Sequence, residues 1–351
     1  MILPTIIYYP ANANSGVVAG ARIARWLERT IPGARMYDGK TVEQAADLME
    51  KRPHNLFIIN VPKPMVAKVE QAERVVRAAD TLIWVQNDYA IQTPTPYTNG
   101  QSIFTRAFTE RTKRKAGHKM QVWSSCADRV ERLMTMPAHY VNWNALAYQF
   151  QEPPRPTIKR TDAMLYWGAY RPQRQKSFVK YFGVPEDRES DGAEFERVVI
   201  SCTKNGADKF YENTGAPRSS FVGPINVPGD LYSFACTVYI EDEMSHKRFH
   251  STANRFYEAL SARLPILVDK SAVGTLQKAG FTVPPAMQSE SLADVSRLLA
   301  AGPSAWRTMA QRQHELWGTD PKLRVHHDKA LVGNVINLMK LGNLLAWKGQ
   351  K

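Results

Sequence analysis

Short apolar runs alternate with stretches of helical periodicity along the first half of the chain. A run without polar alternation is typical of a strand that is buried on both faces of a parallel sheet. The predicted strands are 5–9, 56–60, 82–85 and 120–124, and the predicted helices are 17–29, 42–50, 66–79 and 127–134. This alternation predicts a doubly wound α/β domain.

The second half repeats the alternation after a linker at 152–156, whose sequence is Glu-Pro-Pro-Arg-Pro. Prolines hold such a segment extended. The predicted strands are 163–167, 198–201, 221–225, 237–240 and 266–268, and a helix is predicted over 175–182. Since 351 residues suit two domains, we expect one domain over 1–152, a second over 157–325, and a C-terminal helix within 326–351 that could pack back on the first.

The pattern is most regular between residues 251 and 269. Ser251 or Thr252 is the expected cap of a helix, and Pro265 is expected to end it, because proline cannot continue a helix. Arg255 and Glu258 lie three residues apart and therefore on one side of that helix. A cation and a carboxylate in this position suit a phosphorylated sugar. The alternative is a surface ion pair.

Two further groups of candidate residues follow predicted strands. Gly168, Arg171 and Arg174 lie between the strand 163–167 and the helix 175–182, where arginines suit a diphosphate at a helix N-terminus. Asp88 follows the strand 82–85, and ligands of open α/β sheets bind beyond the carboxyl ends of strands. Asp88 is therefore a candidate catalytic group, with a turn or cap residue as the alternative.

The charge composition of the chain indicates the kind of partner that it binds. There are 46 Lys and Arg against 33 Asp and Glu, which gives a net charge of +13. Such a surplus favours a polyanionic partner, with an anionic membrane as the second choice. The basic segment, residues 106–119, suits a nucleic-acid backbone, although a solvated surface is the alternative; its candidate DNA ligands are Arg106, Arg111, Lys113, Arg114 and Lys115.

Several classes of protein and site are not supported. No apolar run reaches the ~20 residues that cross a bilayer, and the three widely spaced cysteines suit a reduced, cytoplasmic protein. His246 and His250 lack a third ligand nearby, and the sequence has no Asp-x-Asp motif. We therefore predict no metal site, no required cofactor and no membrane partner.

The segment 258–268 resembles a pattern of known enzymes. Its sequence, Glu-Ala-Leu-Ser-Ala-Arg-Leu-Pro-Ile-Leu-Val, is similar to the Glu-Ala-x-x-x-Gly-x-Pro-Val-Ile pattern of nucleotide-sugar glycosyltransferases with the GT-B fold. One position departs, since Arg263 stands where the pattern has glycine. The resemblance implies two Rossmann-like doubly wound domains that face a central cleft.

The order of the candidate residues along the whole chain resembles the phage DNA β-glucosyltransferases, which transfer glucose from UDP-glucose to 5-hydroxymethylcytosine in duplex DNA. The roles that this resemblance implies are a catalytic base at Asp88, diphosphate ligands at Arg171, Arg174 and Arg255 with Gly168 in their loop, a ribose ligand at Glu258, and a uracil-binding backbone around Gly223 and Ile225. The arginine pair is one residue closer together than in the family, and the segment 241–249 does not match its hexose-binding segment.

We therefore expect a monomeric, inverting enzyme that moves a sugar, glucose by resemblance, from a UDP-sugar to a hydroxymethylated pyrimidine in duplex DNA. The pyrimidine would be 5-hydroxymethylcytosine or 5-hydroxymethyluracil, flipped out of the helix. A divalent metal remains compatible with product release. The alternatives are a GT-B enzyme that acts on a glycan or a small molecule, and a non-catalytic DNA-binding protein.

Overall fold

The computed structural model describes residues 4–9, 19–59, 74–75, 78–79, 81–86, 120–124, 138–140, 161–183, 197–225, 228–241, 252–278 and 281–317. The chain divides into two compact units, of which the first is Met1–Phe150 with Val325–Lys351 and the second is Gln151–Arg324. The predicted linker at 152–156 and the predicted helix within 326–351 lie outside the described residues.

The first unit contains a six-stranded, wholly parallel sheet. Its strands are β1 (Thr5–Tyr9), β2 (Arg35–Asp38), β3 (Asn55–Ile59), β4 (Thr81–Gln86), β5 (Met120–Ser124) and β6 (Ala138–Tyr140), and its described helices include α1 (Ala19–Thr30) and α2 (Val42–Lys51). The strand order is β2-β1-β3-β4-β5-β6. Every residue of β1 and β3 is buried, as expected where helices cover both faces of a parallel sheet.

The second unit has parallel strands in two ladders. One comprises β7 (Met164–Trp167), β8 (Val198–Ser201) and β9 (Phe221–Val222), and the other comprises β10 (Thr237–Tyr239), β11 (Ile266–Asp269) and β12 (Gln288–Ser289). A parallel bridge between Met164 and Cys236 joins the ladders through β7, and Leu165 N donates to Cys236 O at 2.9 Å. The resulting order, β9-β8-β7-β10-β11-β12, is the 3-2-1-4-5-6 order of a dinucleotide-binding Rossmann sheet.

Two helices of the second unit pack on this sheet around an aromatic cluster. The described helices of the unit are α3 (Gln175–Phe182), α4 (Lys204–Thr214), α5 (Asn254–Ser261), α6 (Lys270–Lys278), α7 (Leu292–Ala300) and α8 (Gly302–Trp317). The ring of Tyr166 on β7 lies 5.4 Å from Phe178 and 5.3 Å from Phe182 between centroids, and Phe210 of α4 completes the aromatic cluster at 5.9 Å from Tyr166. Burying these rings supplies much of the apolar contact that holds α3 and α4 on the sheet. None of the described helices is long and apolar enough to span a membrane.

Three local expectations need correction. The predicted strand 221–225 ends at Val222, since Pro224 lacks the N–H that a ladder requires. Helix α5 begins at Asn254 with Ala253 as its N-cap, so Thr252 does not cap it, while Ser251 lies outside the described residues. Helix α5 also ends at Ser261, four residues before Pro265.

Candidate functional site

The chain reverses its direction of travel across the second sheet between β7 and β10. One crossover leads from β7 to β8 on one side, and the path from β10 leads to β11 on the other. A ligand of a doubly wound sheet binds in the crevice that such a reversal leaves at the carboxyl ends of the strands. The residues at those ends are Trp167 and Gly168 after β7, and Ile240 and Glu241 after β10.

Gly168 allows the chain to turn close to an arginine. Its φ of 132° lies in a region that side chains disfavour. A Cβ at this position would lie 2.8 Å from Arg255 Nη1, which is too close for carbon and nitrogen in contact. The Gly168 N–H donates to Ser201 O at 3.1 Å and ties the turn to β8.

Arg255 extends from the first turn of α5 into the crevice. Its Nη1 donates to the Tyr166 hydroxyl, and also to Trp167 O at 3.2 Å. Its Nη2 donates to Ile240 O at 3.2 Å and lies 3.6 Å from Glu241 Oε2. These contacts come from both strands at the reversal, and they hold the guanidinium where a ligand is expected.

Arg174 reaches the same carboxylate from the turn that precedes α3. Its Nη2 donates to Glu241 Oε1, and the Glu241 side chain is only 1% exposed against 13% for Arg174 and 14% for Arg255. Burial, and then the positive charge of Arg255, lower the pKa of Arg174 below its usual value. Its Nε is buried and finds no hydrogen-bond partner among the described residues. Two guanidiniums and one carboxylate thus leave a partly buried net positive charge.

Arg171 differs from the other two predicted diphosphate ligands. It is exposed and precedes the short turn Pro172–Arg174, with an extended backbone at φ −133°. The structure therefore brings Arg174 and Arg255 together, and a role for Arg171 beside them stays a prediction.

Glu258 lies one turn after Arg255 on α5, but the two side chains make separate contacts. Trp167 Nε1 donates to Glu258 Oε2 at 2.7 Å, whereas Arg255 pairs with Glu241. The half-buried carboxylate of Glu258 is thereby held at the same edge of the sheet as the arginines. The alternative interpretation of Arg255 and Glu258 as a surface ion pair finds no support in these contacts.

The loop after β9 is attached to the end of β8 by one hydroxyl. Ser201 Oγ donates to Gly223 O at 3.0 Å and accepts from Ile225 N at 2.9 Å. The Ile225 N–H is therefore occupied. Gly223 is exposed and Ile225 is half-buried.

Comparison with known proteins decides the fold. No protein-family model matches the sequence, and no curated protein matches it. Among the solved structures that are similar to it, two cover 96% of this chain and are covered to 99% of their own length. One is T4 phage BGT in complex with UDP and Mn²⁺, with 13% identity and a TM-score of 0.60. The other is the DNA-modifying enzyme β-glucosyltransferase, with and without uridine diphosphoglucose, at 12% identity and a TM-score of 0.59.

The chain has the GT-B fold. The predicted fold class, and the resemblance of this chain to phage β-glucosyltransferase, are thereby confirmed. In the second unit of this GT-B chain, the predicted residues Gly168, Arg174, Arg255 and Glu258 lie together at the reversal of the sheet.

Other predicted site residues lie beyond what the structure describes. Asp88 is outside the described residues, and so are all five candidate DNA ligands, namely Arg106, Arg111, Lys113, Arg114 and Lys115. No group of three metal-binding side chains occurs within the described ranges.

Sequence analysis missed three residues that make contacts at the reversal of the second sheet: Glu241, Trp167 and Ser201. Each lies at, or two residues beyond, the carboxyl end of a strand. The position at the carboxyl end of a strand could have identified all three, because the same position made Asp88 a candidate.

Proposed function

We propose that the chain is an inverting glycosyltransferase that moves a sugar, glucose by resemblance, from a UDP-sugar to the hydroxymethyl group of a modified pyrimidine in duplex DNA. The observation that carries this proposal is the pair of guanidiniums, Arg174 and Arg255, beside the carboxylate of Glu258 at the reversal of a Rossmann sheet. Support comes from the fold, which is shared with a DNA-modifying enzyme whose substrate is uridine diphosphoglucose.

The donor half of the proposal follows from charge. A departing nucleoside diphosphate gains negative charge, and Arg174 and Arg255, joined by Arg171 from the exposed turn, would stabilise it. The Glu258 carboxylate would accept hydrogen bonds from the ribose hydroxyls, and the loop of Gly223 and Ile225 would contact uracil. A divalent metal, such as the Mn²⁺ of the similar structure, is compatible with product release. The residues proposed here to bind the donor do not include metal ligands.

The acceptor half rests on the first unit. The hydroxymethyl oxygen would attack the anomeric carbon of the sugar, the bond from that carbon to the diphosphate oxygen would break, and Asp88 would take the hydroxyl proton. A single displacement inverts the anomeric centre. A stacked base hides its hydroxymethyl group, so the base would be flipped out while the basic segment contacts the phosphates. We expect the enzyme to act as a monomer in the cytoplasm.

Mass spectrometry of nucleosides tests the proposal directly. Duplexes that contain 5-hydroxymethylcytosine, 5-hydroxymethyluracil or only ordinary bases are each incubated with several UDP-sugars and then digested. We expect a mass increase of one hexose on a hydroxymethylated nucleoside and none on ordinary DNA. Hydrolysis of the UDP-sugar without transfer to any duplex would favour a glycan or small-molecule acceptor. Neither hydrolysis nor transfer, combined with tight DNA binding, would favour a non-catalytic DNA-binding protein.

A further inference from the structure

Trp167 contacts both the proposed ribose ligand, Glu258, and a proposed diphosphate ligand, Arg255. Its indole Nε1 donates to Glu258 Oε2 at 2.7 Å, and its carbonyl oxygen accepts from Arg255 Nη1 at 3.2 Å. The first contact uses the side chain and the second uses the backbone. Substitution at this position therefore removes the contact to Glu258 and leaves the contact to Arg255 available.

Trp167 is itself held firmly. It is the last residue of β7 and pairs in register with Ser201 of β8. The next residue, Gly168, donates its N–H to Ser201 O. These bonds fix the backbone from which the indole extends, and the indole has two side-chain torsions against the three of Glu258, so it is the stiffer partner of the two.

The indole suits the task of orienting a carboxylate. Glu258 has three side-chain torsions, and a carboxylate on a helix surface is otherwise free to turn into water. The indole N–H is a donor only and carries no charge, so it fixes Oε2 without neutralising the group. A carboxylate has about four acceptor sites, so Oε1 and a second lone pair of Oε2 can accept hydrogen bonds from a neighbouring diol.

We propose that Trp167 is a positioning residue, which orients Glu258 so that the donor site selects a ribonucleotide over a 2′-deoxyribonucleotide. This inference rests on the proposed function, because it concerns the same donor site. A 2′-deoxynucleotide lacks one of the two ribose hydroxyls from which the oriented carboxylate would accept hydrogen bonds.

The test compares UDP with 2′-deoxy-UDP by calorimetry. One hydrogen bond to a charged acceptor corresponds to roughly tenfold or more in affinity, so we expect the wild type to prefer UDP by at least about tenfold. Trp167→Phe keeps a flat aromatic ring and loses the N–H. We expect this variant to bind UDP about tenfold more weakly and 2′-deoxy-UDP nearly as the wild type does, so that the preference disappears.

Trp306→Phe is the matched control. Trp306 Nε1 donates to Leu298 O at 2.8 Å, a bond of similar length within the same unit that involves neither Glu258 nor either arginine. Its loss is expected to lower the melting temperature and to leave the preference for UDP unchanged. A merely structural role for Trp167 would give the same result as this control.

The possible outcomes distinguish a failure of this inference from a failure of the proposed function. Equal binding of UDP and 2′-deoxy-UDP by the wild type would overturn the inference while leaving the proposed donor in place. So would a full preference for UDP in Trp167→Phe, or in Trp167→Met if the phenylalanine variant does not fold. Failure of the wild type to bind either nucleotide would overturn the proposed function itself.

Discussion

Arg263 has a φ of 48°, a left-handed conformation that is uncommon for a residue with a side chain. The reason lies in how helix α5 ends. Arg263 N donates to Leu260 O at 3.1 Å, and Leu264 N donates to Ala259 O at 3.0 Å. These two bonds form a Schellman motif, whose left-handed position is usually glycine.

We predict that Arg263→Gly raises the free energy of unfolding, by up to about 1 kcal/mol, because glycine adopts this conformation without steric cost. Urea denaturation measures the difference. Arg297→Gly is the control, since Arg297 is also exposed but lies within helix α7. This control variant should have a free energy of unfolding about 1 kcal/mol lower than the wild type. A glycine at position 263 that lowers stability would contradict this account of the helix end.

Glu241 is the counter-charge of two partly buried arginines, as its side chain is 1% exposed and contacts both. We predict that Glu241→Gln lowers the free energy of unfolding by about 3–5 kcal/mol, the usual effect of breaking a buried charge pair. Added phosphate or UDP should raise the melting temperature of this variant more than that of the wild type, because the anion restores the missing negative charge.

The control for Glu241 is the exposed pair of Asp208 and Arg218. Asp208→Asn is expected to change stability by less than about 1 kcal/mol, with no added response to phosphate. An equal response of wild type and Glu241→Gln to phosphate would contradict the account in which the anion takes the place of the missing carboxylate.

At the scale of elements, the turn from β7 toward α3 depends on Gly168. We predict that Gly168→Ala weakens UDP binding by about tenfold or more, since its Cβ would displace Arg255 Nη1, which lies 2.8 Å away. Calorimetry gives the affinity. Gly274 of α6 has open space where a Cβ would lie, so Gly274→Ala should leave UDP binding unchanged and stabilise the helix slightly. Unchanged affinity in Gly168→Ala would separate the turn from the donor site.

Elements whose apolar positions follow the period of a strand or a helix could be predicted closely from the sequence. Strands β5 and β8 and helix α3 have the expected bounds. Strand β2 was missed because Arg35–Asp38 is a polar edge strand whose outer positions are solvated. The N-cap of α5 was also misplaced, because Ala253 takes that position without any side-chain hydrogen bond.

From local spacing alone, the site was predictable only where its residues lie close in sequence, and the resemblance supplied the longer-range grouping of Arg174 with Arg255. Arg255 and Glu258 share one helix, and Arg171 and Arg174 share one turn. Glu241 contacts Arg174 across 67 positions and Trp167 contacts Glu258 across 91. Such contacts depend on the order of the strands in the sheet, which local spacing does not specify.

At the scale of the whole molecule, the proposed reaction needs a base from the first unit. Asp88 follows β4, a central strand that ends at Gln86. We predict that Asp88→Asn lowers turnover by at least ~10²-fold, about 2.7 kcal/mol of barrier, because the amide cannot accept the proton. Affinities for UDP and DNA should stay within a few fold of wild type. A folded variant with near-normal turnover would make Asp88 a turn residue.

The net charge of +13 leads to a prediction about the basic segment. Replacing Arg111, Lys113, Arg114 and Lys115 by alanine should flatten the salt dependence of duplex binding by roughly one unit of logarithmic slope for each phosphate that the segment no longer neutralises. Binding titrations at several salt concentrations measure that slope. An unaltered slope would assign these residues to a solvated surface.

The position of Tyr166 has a consequence for how this protein can change over generations. Its ring belongs to the aromatic cluster with Phe178, Phe182 and Phe210, and its hydroxyl accepts a hydrogen bond from Arg255. A repacking substitution among these phenylalanines therefore shifts a guanidinium as well as a core. Mutant libraries that seek a new sugar donor should keep the aromatic cluster constant. Substitutions in the cluster would change ligand affinity as well as folding stability, so the two effects could not be separated.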